Sequence, residues 1–183
     1  MKREFLTAAN LLSIVRALLA IPFTLFMLVP DEPNRLAAAI IVGIGVITDK
    51  LDGDIARARG EVTEWGKILD PVADKICVAV IALVLLKLGD IPPVFVAALL
   101  GRDLLILAGG LYIRRRRGIV VPSNAAGKWT VTVIALTLFI VLIGILPGIR
   151  WVLFAVCGAG LLLSLILYGA RFVQIVSGGE AHV

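Results

Sequence analysis

The sequence predicts an all-α integral membrane protein with six transmembrane helices, and three observations predict it. Hydrophobic residues fill 60% of the 183 positions and charged ones 17%, with a mean hydropathy of +1.04, more apolar side chain than a water-soluble core of this size can hide. The apolar residues fall into six runs near the ~20 residues that cross about 30 Å of hydrocarbon as a helix. Basic residues gather on alternate connections between those runs, as they do in chains that thread a membrane back and forth.

The first run, 7–29, follows Lys2 and Arg3 and so resembles a signal peptide. It is too long for one, and Arg16 interrupts it with no small-residue cleavage site after it, so we read a retained helix. The second run, 35–57, turns from apolar to charged at TDKLDGDIARARG, 48–60. The third, 67–88, opens on WGKILDPVADK, and the fourth, 92–113, holds Arg102 and Asp103 inside apolar sequence. The fifth and sixth are 127–147 and 150–175. PDEPNR, GDIPP and LPGIR supply proline or glycine where helices one, three and five should stop.

Lys2, Arg3, Arg57, Arg59, Lys67, Arg114 to Arg117, Lys128 and Arg171 fall on one side, against Arg35, Lys87 and Arg150 on the other. The positive-inside rule then puts both termini and the two long loops in the cytoplasm. With no linker, low-complexity tract or internal repeat, residues 1–183 read as a single membrane domain. The net charge of +5 suits anionic headgroups and gives no reason to invoke nucleic acid. RRRRG at 114–118 reads as a topology anchor, Cys77 and Cys157 as packing residues, and His182 as part of a short tail.

Chemistry is expected where the charges are most expensive. With Asp49 at zero on a helical wheel, Asp52 lies at about −60°, Gly53 at about +40°, Ala56 at about −20° and Arg57 at about +80°, one arc of about 140°. Gly66, Asp70 and Asp74 follow at intervals of four and form one stripe on the next helix. An aspartate deep in a span costs about 2.5–3.5 kcal/mol on insertion scales, and two carboxylates 4 Å apart repel by about 4 kcal/mol at an effective dielectric constant of 20. Hard divalent cations offset this directly: an all-carboxylate donor set suits Mg²⁺ or Mn²⁺, and two ions would balance four acids. Mg²⁺ keeps positions for water and phosphate, so the expected ligand is a diphosphate, approached over Gly53, Ala56 and Gly66. Those small residues could equally be helix-packing positions.

The pattern D-x-x-D-G-x-x-A-R, eight residues, then G-x-x-x-D-x-x-x-D resembles the signature of the CDP-alcohol phosphatidyltransferases, with Asp49, Asp52, Gly53, Ala56, Arg57, Gly66, Asp70 and Asp74 at its fixed positions. NLLSIVR at 10–16 and WGKILDPVADK at 65–75 are similar to further parts of that family. The resemblance implies a polar, metal-containing cavity open to the cytoplasmic side of the cell membrane. Asp49, Asp52, Asp70 and Asp74 would hold two Mg²⁺ or Mn²⁺ ions, and Gly53, Ala56, Arg57 and Gly66 would meet the nucleotide and diphosphate of CDP-diacylglycerol. Asp74 would be the base toward an acceptor hydroxyl. A homodimer is implied as well.

Arg102 is expected either to bind an acceptor phosphate or to pair with a carboxylate of a neighbouring helix, and Lys128 and Ser123 are further candidates for that phosphate. Lys50 and Lys75 flank the motif, and Asp54, about 140° from Asp49, reads as a solvated acid. Glycerol 3-phosphate is the leading acceptor, although Gly110 and Thr130 stand where such synthases usually show an arginine and a second lysine. IPPVFVAALLGRDLLI looks closer to the family's cardiolipin synthases, which use phosphatidylglycerol; inositol phosphate and serine are further alternatives. Membrane prenyltransferases also use aspartates and Mg²⁺ on a diphosphate, but the D-G-x-x-A-R element argues against them. A cation-conducting bundle would spread its acids through the membrane depth, whereas these cluster at one side.

Overall fold

The computed structural model describes the backbone of residues 8–29, 31–59, 66–117, 125–145 and 147–177, and within these the side chains of 11–29, 31, 34–48, 72–116, 127–145 and 148–177. The described residues form six α-helices and one 3₁₀ turn, with no strand among them: α1 (Ala8–Leu28), α2 (Glu32–Arg59), α3 (Gly66–Lys87), α4 (Pro93–Arg117), α5 (Ala125–Ile143), the turn Pro147–Ile149, and α6 (Arg150–Val176). These are the six runs expected from hydropathy, with ends displaced by a few residues.

Glycine and proline set the helix ends as the sequence suggests. After α3, Gly89 takes φ +78°, its N–H donates to Leu86 O at 3.0 Å, and the Asp90 N–H donates to Leu85 O at 2.9 Å. This is the Schellman pattern, which satisfies carbonyls that the helix leaves unpaired. Pro93 then opens α4, where its missing N–H costs nothing. Gly144, at φ +77°, ends α5 in the same left-handed region.

The chain divides into two compact units, Met1–Asp90 and Ile91–Val183. In the first, α1 packs against both α2 and α3. Arg35, near the start of α2, pairs with Asp90, just beyond the end of α3, so these two helices run in opposite directions. In the second unit α6 packs against both α4 and α5. Phe95 meets Phe154 and Tyr112 meets Phe172, so α4 and α6 run parallel. Thr130 meets Gly160 and Thr137 meets Cys157, so α5 and α6 are antiparallel.

Polarity is distributed as lipid demands. Ser13, Arg16, Arg102, Thr130, Thr137 and Ser164 are buried, while Leu25, Val46, Leu104 and Ile166 are each more than 60% exposed. Hydrocarbon tolerates exposed leucine and penalises exposed hydroxyls, so polar side chains turn toward neighbouring helices. Leu11–Leu28, Pro93–Arg116 and Arg150–Val176 are long and apolar enough to cross a membrane, and Asn34–Thr48 and Gly127–Ile143 are shorter apolar stretches. The chain is therefore a membrane protein.

Candidate active site

Helical periodicity alone places the motif. Backbone 49–59 is the last part of α2, so the arc holding positions 49, 52, 53 and 56 is helical as expected. Positions 66, 70 and 74 lie in the first turns of α3. The side chains of Asp49, Asp52, Gly53, Ala56, Arg57, Gly66 and Asp70 lie outside the described residues, as do those of Lys50 and Asp54 and the whole of Ser123. Among the described residues no group of three or more His, Cys, Asp or Glu could hold a metal ion. Of the four expected ligands, only Asp74 has a described side chain.

Asp74 is bound to α1. Arg16 Nη1 donates to Asp74 Oδ1 in an ion pair, with the arginine side chain 6% exposed and the aspartate 49%. One turn along α3, Cys77 Sγ donates to the Arg16 carbonyl at 3.4 Å. On α2, a methyl group added at Gly45 would lie 3.9 Å from Arg16 Cγ, so the arginine stem passes near that glycine. Gly45 sits one turn before position 49, about −40° from it on the wheel and inside the motif arc. Arg16 thus binds Asp74 of α3 and passes near α2 at a position within the arc that bears the motif.

In the sequence, Arg16 interrupts the first apolar run and closes NLLSIVR, but nothing there assigns it a role at the site. The signal was present in NLLSIVR: a lone guanidinium in an apolar helix costs about 2.5–3.5 kcal/mol and requires a partner. Which carboxylate supplies that partner is a tertiary fact. A half-exposed, oxygen-only donor such as Asp74 is of the kind that suits a hard divalent cation, and Arg16 offsets the negative charge of its carboxylate.

In the second unit, Arg102 is buried, with Nη1 donating to Asp103 Oδ1 at 2.6 Å and Nη2 donating to Ser164 Oγ of α6 at 2.6 Å. The carboxylate partner is thus the next residue on the same helix, and α6 contributes a hydroxyl. Arg102 Nε is buried and has no hydrogen-bond partner among the described residues. Lys128 is exposed in the first turn of α5. Thr130, by contrast, is buried and donates to Gly160 O at 3.2 Å.

Tyr168 covers the double glycine of α4. Its hydroxyl donates to Ile106 O at 3.0 Å, and a methyl at Gly109 or Gly110 would lie 3.2 Å or 3.5 Å from the phenol oxygen. A phenol therefore stands over the position where the resemblance led us to look for an arginine. Cys157, paired with Thr137 at 3.2 Å, is the packing residue expected, while Cys77 also touches the Arg16 backbone.

Comparison with known proteins identifies the family. A family model described as CDP-alcohol phosphatidyltransferase matches residues 6–168. The chain is 34% identical over 131 residues to a CDP-diacylglycerol–glycerol-3-phosphate 3-phosphatidyltransferase of Aquifex aeolicus, covering 70% of this chain and 71% of that one. It is 35% identical over 138 residues to the protein of the same name from Pseudomonas fluorescens, covering 72% and 70%. It is also 35% identical over 128 residues, 69% and 60%, to a Mycobacterium bovis protein named provisionally as a cardiolipin synthase.

Proposed function

The chain belongs to the CDP-alcohol phosphatidyltransferase family and is a transferase of phospholipid biosynthesis, and from that premise we propose that it moves the phosphatidyl group of CDP-diacylglycerol onto glycerol 3-phosphate, releasing CMP. The observation that carries the reading is the complete eight-position motif on two consecutive helices, with its last aspartate fixed by a buried arginine. We read the six helices as six spans of the cell membrane, with both termini and the reacting cavity on the cytoplasmic side, in one domain over 1–183 that forms a homodimer.

Asp49, Asp52, Asp70 and Asp74 would hold two Mg²⁺ or Mn²⁺ ions. Bound there, such ions supply charge neutralisation and Lewis-acid polarisation at the diphosphate. Gly53, Ala56 and Gly66 leave room for the nucleotide, and Arg57 meets its phosphates. Asp74 accepts the proton of the acceptor hydroxyl as that oxygen forms its bond to the lipid-side phosphorus. The bond from this phosphorus to the bridging oxygen breaks, and CMP departs with the electron pair, its charge met by Arg57. Arg102, Lys128 and Ser123 are the residues proposed to hold the acceptor phosphate, and Arg102 Nε is the donor with capacity left for it.

Phosphatidylglycerol is the second reading for the acceptor. Tyr168 over Gly110 and a buried Thr130 favour it, because neither position offers the extra cation that a phosphomonoester would use. Release of CMP from CDP-diacylglycerol by purified protein, with and without Mg²⁺ and with each acceptor supplied alone, tests both. Product from phosphatidylglycerol and none from glycerol 3-phosphate reverses the ranking. No CMP release with any acceptor refutes the reaction.

A further inference from the structure

Arg16 is buried in α1, outside every motif position, yet it lies against the motif helices. Its stem passes near α2 at Gly45, its guanidinium binds the Asp74 carboxylate on α3, and its carbonyl accepts the Cys77 thiol one turn further on. Gly45 and Asp74 both lie on the faces that bear the acidic motif. An arginine only 5% exposed, with its guanidinium bound to Asp74 on a neighbouring helix, has little freedom left. A carboxylate bound to it is correspondingly restricted.

We infer that Arg16 is a positioning residue for the reaction: it sets the rotamer of Asp74 and keys the motif faces of α2 and α3 to a single side chain of α1. This rests on the reading of Asp74 as the base. Arg16 touches neither substrate nor acceptor in this role and acts through Asp74. The planar guanidinium matters as well as the charge, because it fixes the direction from which the carboxylate is held, whereas an ammonium is a point charge on a flexible stem.

The test compares Arg16→Gln, Arg16→Lys and Asp74→Asn in the full-length protein reconstituted in vesicles containing CDP-diacylglycerol. Arg35→Gln, which breaks an ion pair with Asp90 in the same unit, is the structural control. We expect Arg16→Gln to lower kcat for CMP release at least thirtyfold while KM for CDP-diacylglycerol stays within threefold. Arg16→Lys should recover part of kcat, and Arg35→Gln should keep it despite a comparable fall in thermal midpoint. The fall in midpoint of the double variant Arg16→Gln/Asp74→Asn should be smaller than the sum of the single falls, a readout of the pair that needs no turnover.

Wild-type kcat in Arg16→Gln, or additive midpoint shifts, overturns the inference. If Arg16→Gln does not fold, wild-type kcat in Arg16→Lys overturns it. Loss of activity in Asp74→Asn with full activity in Arg16→Gln refutes positioning and leaves the base reading standing. Full activity in Asp74→Asn removes the base reading and the inference with it.

Discussion

Arg102 on α4 donates through Nη2 to Ser164 Oγ on α6 across 2.6 Å, joining two parallel helices by a charge-assisted hydrogen bond between buried side chains. Ser164→Ala removes the acceptor and leaves a buried guanidinium N–H unpaired, at a cost of about 1–2 kcal/mol. Its thermal midpoint should fall, and KM for the acceptor should rise more than KM for CDP-diacylglycerol. Equal changes in the two KM values would separate Arg102 from acceptor binding.

Chelation provides a second expectation. Protein treated with EDTA should lose CMP release and regain it on addition of Mg²⁺ or Mn²⁺, since on the proposed reading the four motif aspartates without cations would repel one another and the diphosphate would lack its counter-charge. Undiminished release in EDTA would show that the carboxylates serve some purpose other than metal binding.

Asp74→Asn keeps the size of the side chain and removes its capacity as a base. General-base help contributes about 10²–10⁴-fold, so kcat should fall by at least about a hundredfold. Steady-state CMP release in saturating CDP-diacylglycerol measures this directly.

Packing between α5 and α6 gives a prediction independent of function. A methyl at Gly160 would lie 3.2 Å from Thr130 Oγ1 and 3.3 Å from Thr130 Cγ2, and threonine is stiff at χ1. Gly160→Ala should therefore destabilise by about 1–3 kcal/mol, with Thr130→Ala in the same chain offsetting part of that loss. Gly158→Ala, where a methyl meets nothing within 4 Å, should leave the midpoint nearly unchanged.

Gly89→Ala tests the end of α3. At φ +78° an added side chain costs about 1–2 kcal/mol even though there is open space around it. A thermal midpoint equal to that of the wild type would mean that the left-handed cap is dispensable.

Helix boundaries were legible because each depends on short-range chemistry: about 20 apolar residues, then a glycine that tolerates positive φ or a proline that opens the next helix. Gly89, Pro93 and Gly144 all behave as their types require. The motif was legible for a related reason. Its spacing is a property of one helix at a time, and positions 49, 52, 53 and 56 need only helical backbone to share a face. Arg102 was half legible. Its depth in apolar sequence demanded partners, but the acid came from the adjacent residue and the hydroxyl from α6, a choice made by how α4 and α6 pack.

By itself, then, the sequence determined six helices, an apolar exterior and the periodic placement of eight motif residues, all consequences of hydropathy and a 3.6-residue turn. Only the tertiary structure decided that α1 stands against both α2 and α3, that Arg16 meets Asp74, and that Tyr168 covers Gly109 and Gly110. Those pairings join residues some 60 positions apart. Local chemistry demands a partner for a buried charge, whereas the identity of that partner is fixed when helices dock.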